Sequence, residues 1–269
     1  MFAHVRKYCY FCSMKHAVMG ILNCTPDSFY EGSRKQTDDE IAARADEIIG
    51  EGGTIIDVGA YSTRPGATAV SEEEEMQRLR TALAVIRRRH EDVALSVDTF
   101  RPTVARMAAE EYGVGIINDV TEGCPEMYEE VARLGVGYVL MSVQPTVDSM
   151  LANFRNEVAM LRNLGVKEII LDPGFGFGKD VIGGNYAVLR EMGRIKDEFP
   201  ELPLLVGVSR KRMIWKVLEC TPQDDEALQG TMLVNLMALQ QGASILRVHD
   251  VKAAIDTIKI YKNCSSLLA

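Results

Sequence analysis

The chain of 269 residues has no uninterrupted apolar run of the ~18 residues that a membrane-crossing helix requires. No membrane partner is therefore expected. The opening stretch, Met1 to Ser13, is aromatic and basic and lacks the apolar core of a secretion signal. Positive charge is in deficit: 30 Lys and Arg stand against 38 Asp and Glu, for a net charge of −8. With no basic stripe to offset that balance, a nucleic-acid partner is excluded, and an anionic substrate would need a local positive pocket. Six cysteines (Cys9, Cys12, Cys24, Cys124, Cys220 and Cys264) are too scattered for a disulfide framework, so reduced thiols in a cytoplasmic protein are expected. Cys9 and Cys12 form one CxxC with no second pair to complete a zinc site, and they read as incidental thiols. No Ser/Gly linker, internal repeat or low-complexity stretch divides the chain. The domain reading is an N-terminal extension over 1–16 and one domain over 17–269.

What is present is ordinary for a globular protein with a sizeable core, at 47% apolar and 25% charged residues. Short apolar runs alternate with helical periodicity. The strand candidates are Ala17–Asn23, Thr54–Val58, Ala94–Val97, Gly115–Asn118, Gly137–Met141, Glu168–Leu171, Leu204–Val208 and Gly242–Val248. Helical spacing covers Asp38–Glu51, Glu72–Arg89, Thr103–Tyr112 and Glu226–Gln240. Thr37 with Glu40 has capping-box spacing, Ser71 precedes an acidic first turn, and Gly113 and Gly242 are C-terminal stops. Eight strands each followed by a helix predict an α/β fold, a (β/α)₈ TIM barrel of about 250 residues with its site at the C-terminal face of the strands. The runner-up, an open doubly wound sheet, would carry a G-x-G-x-x-G turn after its first strand, and none is present.

In a barrel, residues just after strands gather at one mouth, and here those positions are polar. Arg247 and His249 stand two apart at the last strand end, where alternation puts them on one side. A guanidinium grips phosphate bidentately and an imidazole adds a donor, so the segment reads as a phosphate site or, on these residues alone, as a salt-bridged strand end. Asn23 offers a neutral oxygen suited to Mg²⁺ that keeps most of its waters. Asp27 and Ser28 read mainly as turn residues. Ser62-Thr63-Arg64-Pro65-Gly66 suits an anion-binding loop. Asp57 reads as a ligand contact or a buried helix cap. Asp98, Asn118-Asp119 and Asp172 bring three carboxylates and an amide toward one mouth, a cluster that needs a donor-rich ligand such as a planar amino-heterocycle. The lack of His there disfavours a transition metal. Gly174-Phe175-Gly176-Phe177-Gly178-Lys179 misses the Walker spacing and reads as flexible backbone beside a flat ligand, with Phe177 as a packing face. Of the two cations after the seventh strand, Lys211 is placed to bond a ring carbonyl or nitrogen, and Arg210 is read as facing solvent.

Together these segments resemble the dihydropteroate synthase family. The matching stretches are Met19 to Phe29, Ser62 to Gly66, Ser96 to Thr99, Ile117 to Val120, Leu171 to Gly174, Phe177 to Lys179, Gly207 to Lys211 and Arg247 to Val251, in order along the chain. The resemblance implies a transferase of folate biosynthesis that condenses 6-hydroxymethyl-7,8-dihydropterin diphosphate with p-aminobenzoate. Carried over by position, it implies that Asp98, Asn118, Asp172 and Lys211 hold the pterin, with Arg247 flanking it. Asn23, Thr63, Arg247 and His249 would meet the diphosphate, with Arg64 in the same loop and Mg²⁺ near Asn23. Phe29, Pro65, Ser209 and Lys211 would contact p-aminobenzoate, and Asp172, Lys211, Arg247 and His249 would carry the catalysis. A homodimer through the late helices follows the family habit, although the Thr231–Leu239 stretch by itself reads as core.

The chain departs from the family pattern in four places. Met141-Ser142-Val143-Gln144-Pro145 stands where Met-His-Met-Gln-Gly is usual, and Ala60-Tyr61 replaces a Gly-Glu pair. Glu31 stands for an Asp, and one extra residue precedes Asn185. Two alternatives accompany the main reading. Pterin-binding methyltransferases share the Asp/Asn cluster but have no diphosphate to hold, which the Ser62–Gly66 loop and the Arg247/His249 pair argue against. A catalytically silent paralogue is the reading that the changed fifth loop raises.

Overall fold

Strands and helices alternate through the computed structural model, which describes residues 16–24, 37–61 and 70–266. The first half runs β1 (Ala17–Asn23), α1 (Asp38–Gly50), β2 (Ile55–Gly59), α2 (Glu72–Arg89), β3 (Ala94–Asp98), α3 (Pro102–Tyr112), β4 (Ile116–Asp119) and α4 (Pro125–Leu134). The second runs β5 (Gly137–Met141), α5 (Val147–Asn163), β6 (Ile169–Asp172), α6 (Gly183–Glu191), α7 (Gly193–Glu198) and β7 (Leu205–Val206). It ends with α8 (Arg212–Trp215), α9 (Asp225–Gln240), β8 (Ile245–Val248) and α10 (Val251–Ser266).

Neighbouring strands lie in the order β6-β5-β4-β3-β2-β1-β8-β7, and every ladder is parallel. The two end strands meet through a parallel bridge, Leu171 to Leu204, and Leu171 N–H donates to the Pro203 carbonyl at 2.9 Å. The sheet therefore curls into the expected barrel, and the open doubly wound alternative fails because β1 pairs with β8 and the ends join. Helix starts follow the sequence signals. Glu40 N–H donates to Thr37 Oγ1 at 3.3 Å while Thr37 N–H donates to Glu40 Oε2 at 2.8 Å, a complete capping box. Ser71 Oγ accepts from Glu74 N–H, and Gly113 closes α3 in the left-handed conformation. The last strand is shorter than the apolar run predicts. Gly242 and Ala243 donate backward to Leu239 and Ala238 to finish α9, so the run contributes to β8 only from Ile245.

Alternation along each strand separates two cores. Outward side chains such as Val18, Ile56, Val97, Ile117, Leu140 and Leu246 pack beneath the helices. Inward ones, Ala17, Met19, Ile55, Ile116, Val139, Ile170, Leu205 and Ile245, fill the N-terminal half of the interior. Helix α9 is only partly the core element expected. Val234, Ala238 and Leu239 are buried, but Leu233 and Met237 face outward at 63% and 51% exposure. Among the described residues no helix is long and apolar enough to cross a membrane. Cys24, Cys124, Cys220 and Cys264 are free thiols, whereas Cys9 and Cys12 lie outside the described residues.

Candidate active site

Two residues beyond the apolar inner layer, the same alternation brings polar side chains inside. Ile55 is followed in this way by Asp57, Ile116 by Asn118, Ile170 by Asp172 and Ile245 by Arg247. Register aligns them: Asp57 pairs with Ser96, Asp98 with Asn118, and Met141 with Asp172. Gly59 pairs with Asp98 at the rim, where a side chain would begin 3.3 Å from Asn23 Oδ1. Any larger residue there would press on the Asn23 amide oxygen and on Asp98.

Arg247 is the hub of this layer. Its Nε donates to Asp57 Oδ2 at 2.6 Å and its Nη2 to Asp98 Oδ2 at 2.8 Å. Asn118 Nδ2 donates to the same Asp57 oxygen at 3.1 Å. Burial pushes the Asp98 carboxyl up to about 7; Arg247 opposes that shift, while Asp57, Asp119 and Glu75 add to it. Burial likewise raises Asp172, against the pull of Lys211 and of the Gly174 N–H that donates to its Oδ1 at 2.7 Å. Lys211 is pushed down to about 8 by burial, with Asp172 the main group favouring its charge. Its ammonium donates to the Phe175 carbonyl and lies 5.0 Å from the centre of the Phe177 ring. A lysine, a guanidinium, three carboxylates and an amide thus share one mouth, able to bind a flat, donor-rich ring and to offset developing charge of either sign.

The structure places the other expected residues as follows. Ser209 is buried, and its hydroxyl accepts the His249 N–H at 3.2 Å, which ties the ends of β7 and β8 together. His249 follows the end of β8, and its carbonyl accepts from Arg44 Nη2 at 2.5 Å. Phe29, Thr63, Arg64 and Pro65, with Asp27, Ser28 and Glu31, lie outside the described residues.

Three expectations are corrected. Asp119 does not join the mouth. It neighbours Asn118 on the strand and so points the other way, where Tyr138 Oη donates to its Oδ2 at 2.8 Å and the Thr121 hydroxyl and N–H donate to its Oδ1. Asp57 is the third carboxylate and not a helix cap, and the signal was present in its spacing from Ile55. Arg210 is not a solvent-facing cation. With φ at 52° it turns back, and its guanidinium makes a two-pronged pair with Asp250 at 2.8 and 3.0 Å. The glycine run serves close packing more than flexibility. Gly174 and Gly178 have φ of 65° and 62°, and side chains there would begin 2.2 Å from the Ser142 carbonyl and 1.9 Å from that of Val143.

The loop after β5, atypical in sequence, is well tied. Lys179 Nζ donates to the carbonyls of Ser142, Gly174 and Phe177 at 3.2, 2.9 and 2.9 Å, and its burial lowers it to about 8. Glu122 Oε1 accepts from Gln144 Nε2 at 2.9 Å and from Val143 N–H at 3.3 Å. Sequence reasoning also missed Glu75, a fully buried carboxylate on α2. It accepts from Thr99 Oγ1 at 2.7 Å and Arg101 Nη1 at 2.5 Å and so braces the end of β3.

Residues 19–249 match the family described as pterin binding enzyme. The chain is 40% identical over 259 residues to the dihydropteroate synthase of Escherichia coli (strain K12), covering 90% of this chain and 89% of that one. It is 40% identical to the Bacillus subtilis (strain 168) dihydropteroate synthase, covering 88% and 85%. Among solved structures, Yersinia pestis dihydropteroate synthase in a sulfonamide drug complex superposes with a TM-score of 0.84 at 36% identity, covering 94% and 95% of the two chains. Xanthomonas albilineans dihydropteroate synthase with 4-aminobenzoic acid gives a TM-score of 0.83 at 35% identity, covering 93% of each.

Proposed function

The chain belongs to the pterin-binding enzyme family, with the dihydropteroate synthases, and from that membership we propose how its barrel mouth performs their reaction. The activity is that of a transferase in folate biosynthesis, which joins a pterin diphosphate to p-aminobenzoate to give dihydropteroate and diphosphate. One observation carries the assignment of parts: Asp98, Asn118, Asp172, Lys211 and Arg247 converge from separate strands and loops on one lined mouth.

In our reading the pterin lies on Asp98, Asn118 and Asp172, whose oxygens accept from its amino and ring N–H groups. Lys211 donates to the ring carbonyl or nitrogen, Phe177 packs against the ring, and Arg247 flanks it. The arylamine nitrogen forms a C–N bond to the pterin methylene carbon as the C–O bond to diphosphate breaks. Diphosphate leaves with the bonding electrons, and the nitrogen then loses a proton to water. Positive charge developing on the pterin is offset by Asp172. Arg247 and His249 take the leaving diphosphate, together with Thr63 and Arg64. Phe29, Pro65, Ser209 and Lys211 contact p-aminobenzoate. The arylamine is neutral at ordinary pH, so no general base is required.

Mg²⁺ is the metal we assign. The fit rests on Asn23, whose Oδ1 lies 3.3 Å from where a side chain at Gly59 would begin and would supply one neutral oxygen to a hard ion. When bound, the ion supplies charge neutralisation at the diphosphate. A homodimer through α9 and α10 is supported by exposed Leu233, Met237 and Ile260. A cytoplasmic setting is supported by the free thiols.

Purified protein given pterin diphosphate and p-aminobenzoate is expected to release diphosphate only when both substrates and Mg²⁺ are present. Release without p-aminobenzoate, or none with all three, would overturn the reading.

A further inference from the structure

Asp57 is fully buried and accepts two hydrogen bonds on one oxygen, from Arg247 Nε at 2.6 Å and from Asn118 Nδ2 at 3.1 Å. Both donors belong to the proposed pterin pocket, yet nothing in the proposed chemistry uses Asp57. We infer that Asp57 is a positioning residue that sets the hydrogen-bond polarity of the pterin pocket.

The reasoning starts from the amide. An asparagine side chain presents a donor on one side and an acceptor on the other, and its two orientations are nearly the same shape. A carboxylate has only acceptors, so the group that Asn118 turns toward Asp57 must be its NH₂. The amide oxygen is then directed away from Asp57, and with Asp98 and Asp172 it completes a floor of acceptors. A floor with the opposite amide would present a donor to the ring's own donors.

The second effect concerns the guanidinium. Arg247 is shared between Asp57 and Asp98, at 2.6 and 2.8 Å. A neutral group at 57 would leave Asp98 as its remaining carboxylate partner among the described residues. The guanidinium would then hold the carboxylate that the pterin needs. Nor is the arrangement built for stability alone. Among the described residues Asp57 Oδ1 is buried without a hydrogen-bond partner, as is the hydroxyl of its register neighbour Ser96. Leaving such groups unmet is destabilising, so the pocket carries polar groups that packing by itself does not call for.

The inference rests on the pterin-binding reading above, and the test separates the two. In Asp57→Ala, which leaves no acceptor at this position, affinity for 6-hydroxymethylpterin is expected to fall ~30-fold by calorimetry, as two oriented bonds are lost. The KM for pterin diphosphate should rise in step, while that for p-aminobenzoate stays within about threefold. Both are measured below the variant's own unfolding transition. Unchanged pterin affinity, or equal increases in both KM values, would overturn the positioning role. Failure of the wild-type enzyme to bind the pterin would instead overturn the pocket assignment. If Asp57→Ala does not fold, asparagine-labelled wild-type enzyme gives a second readout by NMR. The Asn118 amide proton that Asp57 accepts should keep its shift and exchange protection when the pterin binds. A large shift or loss of protection on binding would refute the proposed polarity.

Discussion

Two tiers share the inside of this barrel, built on the same strands one alternation apart. In the lower tier Met19, Ile55, Ile116, Val139, Ile170, Leu205 and Ile245 make a dry layer. In the upper tier Asp57, Asn118, Asp172 and Arg247 stand two residues beyond Ile55, Ile116, Ile170 and Ile245. Each lower side chain stabilises the fold by roughly 1.5–3 kcal/mol through burial. The upper tier contributes little, since desolvation of buried ion pairs offsets most of their attraction. What it gains is fixed orientation: charges held by one another need little reorganisation when substrate charge develops.

If the tiers divide the work in this way, changes above should remove activity and changes below should remove stability. The largest effect is expected for Asp172→Asn, which should lower kcat at least ~10²–10³-fold with the unfolding midpoint nearly unchanged. Near-normal turnover would break the division at its central residue. Next come the two members of the strand-end pair. Arg247→Ala should weaken binding of both plain pterin and pterin diphosphate, on the order of 100-fold, because it also strands Asp57 and Asp98. His249→Ala should weaken only the diphosphate-bearing ligand, about 10-fold; calorimetry with both ligands on both variants would reveal equal losses if the split is wrong.

In the lower tier, Ile170→Ala should cost about 2–5 kcal/mol in denaturant unfolding while both KM values hold below the transition. A raised pterin KM in that folded variant would blur the boundary between the tiers. The smallest effect is one of pH. Burial moves Asp98 from 3.8 to about 7, so between those values the folded state holds a proton that the unfolded chain has released. Its contribution to stability therefore falls as pH rises through that window. Asp98→Asn should flatten that part of the stability profile. Pterin affinity should run the other way, rising as Asp98 ionises toward pH 7 and falling as Lys211 loses its proton above about 8. A flat affinity profile from pH 6 to 9, on the order of one unit outside each of these values, would detach both groups from ring binding.

Much of this was legible along the chain. Strand count, helix caps and polar strand ends are set by short-range periodicity and capping chemistry, and they appear where the sequence places them. What was not legible was which of two adjacent polar residues turns inward. Asn118-Asp119 reads the same either way until Ile116 is known to face the interior, which sends Asn118 inside and Asp119 to Tyr138. Asp57, between Ile56 and Val58, stays open between ligand contact and cap until Ile55 is known to face the interior. Arg210 looked free because its partner, Asp250, lies 40 positions later and is reached only through a left-handed turn. The glycines after β6 looked like a ligand loop because the carbonyls they pack against, those of Ser142 and Val143, belong to a different loop.

The sequence by itself determined the barrel, the polar mouth and the family, because alternation, capping and ordered motifs are local properties that survive without the fold. Only the tertiary structure decided the partnerships that tune the mouth. Arg247 reaches Asp57 across 190 positions and Asp98 across 149. Such a bond depends on strand register and barrel closure together, and no local pattern along the chain encodes either.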